Sequence, residues 1–160
     1  MSYPDWLPDA ISITGDWDQD LANLYKVFES DIKGQRLFFR GVRVIYDGRI
    51  VEAPYEEGFW HLITKTDQRT GERLFDPRRA ECLAWIRPML INCDDEAVKV
   101  WVWKDDKGRR RTYLWLEAFD YVIILESRNG RTYFLVTAHD IDGEGRRRQL
   151  KTRYENRESD

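Results

Sequence analysis

The sequence predicts an α+β fold, in which helices and an antiparallel sheet occupy separate parts of the chain. An amphipathic helical pattern comes first, a proline-initiated helix lies in the middle, and four strand-like segments separated by turn signals follow. The 160 residues are predicted to form a single domain, with residues 1–57 as an N-terminal helix and short hairpin and residues 58–154 as the core.

The first two elements follow from residue spacing and turn chemistry. Residues 16–34 predict a helix, because apolar side chains recur every three or four positions and Gly34 stands where helices commonly end. Residues 37–51 predict short strands around Asp47-Gly48, a dipeptide that is typical of hairpin turns. We therefore expect a helix followed by a hairpin.

The stretch that contains the first histidine predicts a third strand, over residues 59–64. In a strand, His61 would share one face with Phe59, Ile63 and Lys65. A histidine between apolar residues is more often a hydrogen-bonded structural residue than a catalytic one. His61 is therefore a candidate for proton transfer that the spacing alone does not establish.

A central helix is predicted from Asp76-Pro77, a capping side chain followed by proline in the first turn. Pro88 is expected to kink this helix or to end it early. On a helical wheel, Arg79 and Arg87 both fall inside the apolar arc. Because burying an unpaired guanidinium is very costly, each requires a carboxylate partner, an outward-reaching stem or an anionic ligand.

A four-stranded antiparallel meander and a basic C-terminal helix complete the predicted fold. The strands and the helix are expected at residues 98–103, 110–117, 121–126, 131–138 and 145–157. In the last helix, Leu150 and Tyr154 form a docking stripe. Basic residues surround this stripe, namely Arg146, Arg147, Arg148, Lys151 and Arg153. They form either a solvated face or a path for phosphates.

Composition limits the function classes. Residues 1–35 carry seven acidic residues and two lysines, a net charge of −5, whereas the remainder of the chain has a net charge of +2. Any site for a polyanion must therefore be a local cluster of basic residues. Neither histidine belongs to a metal motif, and no metal or cofactor is expected. Cys82 and Cys93 are expected to be reduced. The chain has neither a leader pattern nor a membrane-length apolar run, so a cytoplasmic protein without membrane contact is expected.

The motifs GFWHLIT, RRAECLAWIRPML, YLWLEAFDYVIIL, YFLVTAHDI and LKTRYE occur in this order between residues 58 and 155. This series resembles phage- and prophage-associated proteins of the Barnase–EndoU–colicin–RelE-like (BECR) nuclease superfamily. The resemblance implies helices followed by a four-stranded antiparallel sheet. It also implies metal-independent RNA cleavage, of toxin or phage-effector type, by attack of a ribose 2′-hydroxyl on the adjacent phosphate.

The resemblance implies roles for individual residues. His61 would be the general base or acid, Arg87 and Arg79 would hold phosphate or order the site, and Thr137 would donate a hydrogen bond to phosphate. His139 stands where tyrosine is commoner in the family, so it is either a second proton-transfer group or an incidental replacement. The remaining candidates for substrate binding are Arg73, Lys65, Lys151 and Tyr154.

The implied partners are RNA, such as tRNA, and a protein inhibitor of antitoxin type, while the oligomeric state is left open. Two other function classes also fit the sequence. One is a non-catalytic module that binds RNA or protein on the same scaffold, with carboxylates satisfying the arginines. The other is an interaction protein whose aromatic sheet packs against a partner.

Overall fold

The computed structural model describes residues 3–158, and in this range five α-helices accompany a curled six-stranded sheet and a two-stranded ribbon. The helices are α1 (Trp17–Asp31), α2 (Glu57–Ile63), α3 (Pro77–Glu81), α4 (Ile86–Ile91) and α5 (Glu144–Glu155). The strands are β1 (Phe38–Phe39), β2 (Val42–Ile45), β3 (Thr64–Thr66), β4 (Arg73–Phe75), β5 (Val98–Lys104), β6 (Arg110–Leu116), β7 (Tyr121–Arg128) and β8 (Thr132–Asp140). The predicted α+β class is confirmed.

The large sheet contains more than the predicted meander. Its strand order is β1-β2-β8-β7-β6-β5, and the four strands β5 to β8 pair with their sequence neighbours in antiparallel fashion. The N-terminal hairpin joins this sheet, because β2 pairs with β8 in parallel through Val44 opposite Tyr133. Pairing to β8 satisfies backbone groups of β2 that a separate hairpin would leave to solvent.

The turn of that hairpin lies at Arg40-Gly41, and the prediction of a turn at Asp47-Gly48 is wrong. Both turn residues have positive φ angles, 50° and 79°, as a type I′ turn requires. Asp47 instead follows β2, where its carboxylate accepts hydrogen bonds from the guanidinium of Arg49. The predicted turn at Asn129-Gly130 does occur, with φ angles of 56° and 66° between β7 and β8.

Residues 59–64 form the end of helix α2 and the start of β3, so the predicted strand is wrong. Phe59, Leu62 and Ile63 are buried at helical spacing, which is how a short helix covers the core. Gly58 allows this packing, since a β-carbon there would lie 2.9 Å from the ring of Tyr46. His61 is consequently exposed on the outer side of α2.

The central helix is interrupted, which changes the position of Arg87. Asp76 caps α3 as predicted, but α3 ends at Glu81 with Cys82 as its C-cap, and a 3₁₀ turn at Leu83–Trp85 precedes α4. Pro88 then lies in the first turn of α4, where its missing N–H leaves no hydrogen bond unmade. Because the interruption shifts the helical phase, Arg87 is exposed, and its predicted position inside the apolar arc is wrong.

The two faces of the sheet carry separate apolar clusters. The main core lies between one face and helices α1 to α4, and Leu24, Phe28 and Trp85 are among its most deeply buried side chains. The second cluster lies on the other face, beneath α5, and includes Trp115 and Leu150. Helix α5 is thus attached to the sheet by a small apolar contact.

Both cysteines are free and buried. Burial raises the pKa of the Cys82 thiol to about 12, so this side chain is a neutral apolar group at physiological pH. Within residues 3–158, no helix has the length and apolar character needed to cross a bilayer. No cluster of three or more His, Cys, Asp or Glu side chains suited to a metal ion occurs in the same range.

Asp20 connects α1 to the segment before it. Its carboxylate accepts hydrogen bonds from the Thr14 N–H (2.9 Å), the Thr14 hydroxyl (2.8 Å) and the Gly15 N–H (3.0 Å). These bonds hold the pKa of Asp20 below its ordinary value of 3.8, and the bond from the Thr14 N–H has the largest effect. Ionised Asp20 is therefore part of the folded structure.

We predict that Asp20→Asn lowers the melting temperature most at neutral pH. A carboxylate whose folded pKa is depressed stabilises the protein above the unfolded pKa of about 4, and this stabilisation is lost as pH falls through the folded pKa. The melting temperatures of variant and wild type should therefore converge in acid, as scanning calorimetry would show. Asp18→Asn, exposed in the same turn, is the control, and a difference at Asp20 that is independent of pH would contradict the prediction.

Candidate functional site

A cleft of about 270 Å³ lies where β3, α3 and the segment from the end of β8 to the start of α5 meet. Its lining residues are Lys65, Asp76, Arg79, His139, Asp140, Ile141, Asp142 and Arg146. Three cations, three carboxylates and one imidazole thus surround a small space, which we call the cationic cleft after the groups able to bind an anion. Such a mixture suits proton transfer beside a bound phosphate.

Arg79 is the central cation of the cleft. Its guanidinium Nη1 donates to the carbonyl oxygens of Thr64 (2.6 Å) and His61 (3.3 Å), and its Nε lies 3.5 Å from the Asp76 carboxylate. These carbonyls close the C-terminal end of α2, where helix carbonyls lack intrahelical donors. Part of the guanidinium is therefore used structurally, while the residue also lines the cleft.

Asp76 closes the beginning of α3 in the same region. Its carboxylate accepts hydrogen bonds from the backbone N–H groups of Arg78 (3.1 Å) and Arg79 (3.3 Å), as an N-cap residue does. Its own N–H donates to the carbonyl of Ile63 at 2.8 Å. The sequence predicted the cap, and the structure adds that this carboxylate faces the cationic cleft.

His139 is the titratable group of the cleft. It lies on β8 opposite Val122, and its Nδ1 is 2.8 Å from the carbonyl oxygen of Asp140. Because a carbonyl only accepts, Nδ1 carries the proton and a neutral ring keeps Nε2 as an acceptor. Burial lowers the pKa of His139, and the charges of Arg79 and Arg146 lower it further, against the opposing effect of Asp140. The ring is therefore a neutral base at physiological pH.

His61 lies next to the cleft and is held there by its backbone. Its carbonyl accepts a hydrogen bond from Arg79, while its side chain is on the exposed side of α2. Partial loss of hydration lowers the pKa of His61, and the nearby charge of Arg73 lowers it further. Arg79 thus depresses the pKa values of both histidines of the chain.

The structure brings together only part of the predicted set. Lys65, Arg79 and His139 line the cationic cleft. Arg73 lies nearby on β4, but its guanidinium is paired with Glu57 at 2.8 Å. Four predicted residues lie outside the cleft. Arg87 is exposed on α4 and Lys151 is exposed on α5. Thr137 is half-buried on β8 opposite Ile124, and the ring of Tyr154 has its centroid 5.6 Å from that of Trp101.

Sequence reasoning missed two carboxylates of the cleft. Asp140 is the last residue of β8, and Asp142 lies in the segment that leads from it to α5. Their position directly after His139 was the available signal, since polar residues at the end of a strand often form sites. Arg146 was recognised only as one of many basic residues of the C-terminal helix. Its place at the start of α5 brings it to the cleft.

We predict that Arg79→Ala lowers the free energy of unfolding by about 1–3 kcal/mol, because it leaves the carbonyls at the end of α2 without their donor. Urea denaturation measures this change. The matched control is Arg87→Ala, which removes the same charge from an exposed position and should change stability by less than about 0.5 kcal/mol. Equal effects at the two positions would contradict the structural role of Arg79.

We also predict that both histidines titrate below about pH 6.5 in proton NMR spectra. Arg79→Met should raise both pKa values, whereas Arg73→Met should raise that of His61 alone. Because the unfolded chain binds these protons more tightly, stability should fall as pH drops from about 6.5 through the folded pKa values. An unchanged His139 titration in Arg79→Met would show that the two groups are not coupled.

Comparison with known proteins assigns the chain to no family. No protein-family model matches it, and neither a curated protein nor a solved structure matches it significantly. The resemblance to BECR nucleases accordingly rests on the sequence motifs alone. The chemistry of the cationic cleft has to be argued from its own residues.

Proposed function

We propose that the protein is a metal-independent endoribonuclease of toxin or phage-effector type, and that the cationic cleft is its active site. The observation that carries this proposal is a neutral imidazole, that of His139, in one cleft with Lys65, Arg79 and Arg146. A neutral base and fixed cations are groups that RNA cleavage without a metal requires. The resemblance implies a four-stranded antiparallel sheet, and β5 to β8 are four sequential antiparallel strands within the six-stranded sheet.

In the proposed reaction, Nε2 of His139 takes the proton of a ribose 2′-hydroxyl. The 2′ oxygen forms a bond to the adjacent phosphorus, and the bond from phosphorus to the 5′ oxygen breaks, leaving a 2′,3′-cyclic phosphate. An acid must protonate the departing 5′ oxygen, and the candidate is the protonated form of His61, which is the minor form at neutral pH because its pKa is lowered. Lys65 and Arg146 stabilise the charge that develops on the phosphate, and Arg79 adds to this field from its fixed position.

A non-catalytic module that binds RNA or protein is the second candidate. The observation in its favour is the balance of charge inside the cleft, where Asp76, Asp140 and Asp142 oppose the three cations. Arg79 in particular already has two carbonyls and a carboxylate as neighbours. In that case the cleft would be a structural network that an RNA or a protein partner contacts from outside.

The test is incubation of purified protein with total tRNA and with a generic single-stranded RNA in excess EDTA. We expect cleavage that leaves 2′,3′-cyclic phosphate ends. His139→Ala and His61→Ala should each reduce the rate by about 100-fold or more, because each removes a proton-transfer group. Their melting temperatures should stay close to that of the wild type.

Arg87→Ala is the control for this assay, since its side chain is exposed on α4 and should leave the rate unchanged. Cleavage that survives both histidine substitutions would place the activity elsewhere or in a contaminant. Binding of RNA without any cleavage would favour the second candidate. A protein inhibitor of antitoxin type would then no longer be expected as a partner, because there would be no cleavage activity to inhibit.

A further inference from the structure

A second pocket, of about 460 Å³, lies beside the ribbon formed by β3 and β4. We call it the aromatic pocket, and its lining residues are Trp17, Glu52, Trp60, Thr64, Glu72, Arg73 and Phe75. Thr64 and Phe75 are cross-strand partners that face this pocket, whereas the next residues along the chain, Lys65 and Asp76, line the cationic cleft. The ribbon therefore separates two sites of different chemistry.

Three aromatic rings form the walls of the pocket. The rings of Trp17 and Phe75 meet edge to face, with centroids 5.0 Å apart, and Trp17 is 45% exposed. Trp60 is held in place because its indole N–H donates to the carbonyl of Glu52 at 3.1 Å and its ring packs against Tyr55. A fixed wall with a partly open tryptophan is suited to receive a flat group.

The charge of the pocket is negative. Arg73 is its one cation among the lining residues, and its Nη2 lies 2.8 Å from Glu57, so that charge is already compensated. The side chain of Glu52 is 58% exposed, and its Oε1 lies 3.8 Å from Nη1 of Arg73. This distance is too long for a hydrogen bond, so the carboxylate can still accept one from another donor. In the described part of the chain, the carboxylate of Glu72 has neither an ion pair nor a hydrogen bond. Arg73 and the three carboxylates of Glu52, Glu57 and Glu72 together have a net charge of −2.

This combination favours a cation as ligand. Aromatic faces attract cations, and carboxylates add charge-assisted hydrogen bonds. Within residues 3–158 a lysine or arginine lies over an aromatic ring nine times, and none of these contacts involves Trp17, Trp60 or Phe75. A phosphate or a nucleotide would meet two uncompensated carboxylates at the same place. The pocket is thus chemically opposite to the cleft.

We propose that the aromatic pocket binds an arginine side chain from a basic segment of a partner protein. A guanidinium is planar, stacks on tryptophan and donates a fork of hydrogen bonds to carboxylates, which a lysine ammonium does not do. The pocket volume lies in the range of about 300–1,000 Å³ that is usual for ligand sites. The acidic first 35 residues, which include Trp17 and its neighbours Asp16 and Asp18, would attract such a segment. The proposal does not depend on RNA cleavage.

The test uses the full chain and two peptides, acetyl-Gly-Arg-Gly-amide and the same peptide with citrulline, which has the shape of arginine without its charge. The arginine peptide should shift the indole N–H resonances of Trp17 and Trp60 in nitrogen–proton spectra. The citrulline peptide should bind at least about tenfold more weakly, because it loses the ionic and cation–π contributions. Trp17→Ala, at a partly exposed position, should weaken the binding of the arginine peptide by a similar factor.

A charge-matched pair of variants completes the experiment. The double substitution Glu52→Gln and Glu72→Gln should weaken the binding of the arginine peptide about tenfold. The control, Glu96→Gln with Glu155→Gln, removes the same charge from exposed positions outside the pocket and should leave the affinity unchanged. Equal binding of both peptides, a stronger response of the same indoles to nucleoside monophosphates, or no shift at millimolar peptide would each overturn the proposal.

Discussion

The candidate site depends on one interaction, the contact of the Arg79 guanidinium with the end of α2. Helices α2 and α3 have seven and five residues, lengths at which a helix is unstable without tertiary contacts. Arg79 supplies donors to the carbonyls at the end of α2, and Asp76 supplies an acceptor at the start of α3. The same charge lowers the pKa of both histidines. Local stability and the protonation state of the site are therefore coupled through one side chain.

The basic residues of α5 show why a cationic helix is not by itself an RNA-binding surface. The guanidinium of Arg147 lies 5.7 Å from the ring of Trp115 and is also paired with Asp120, and that of Arg153 lies 4.7 Å from the ring of Trp103. These contacts attach a helix with little apolar surface to the aromatic outer face of the sheet. Charge that seems available from composition is thus partly used for packing, and Arg146 is the α5 cation that reaches the cationic cleft.

The elements that local patterns misplaced are those whose conformation depends on distant contacts. The run that contains His61 is short and apolar, and such runs do not distinguish a strand from a helix. Packing of Phe59 and Ile63 in the core selects the helix. A hairpin turn was expected at Asp47-Gly48 and forms at Arg40-Gly41, because the parallel pairing of β2 with β8 sets where the hairpin must reverse. By contrast, β5 to β8 were located within about two residues, since their turns carry strong local signals.

The sequence by itself determined the α+β class, the cap at Asp76 and the requirement that Arg79 have polar partners, because each follows from spacing or from the cost of burying charge. Only the tertiary structure decided which side chains meet. A 3₁₀ turn changes the phase of the central helix and turns Arg87 outward, and the end of β8 brings His139 to Arg79. Local periodicity specifies which face of an element is apolar, but neighbours in space depend on how distant elements pack, and that packing is set by the whole core.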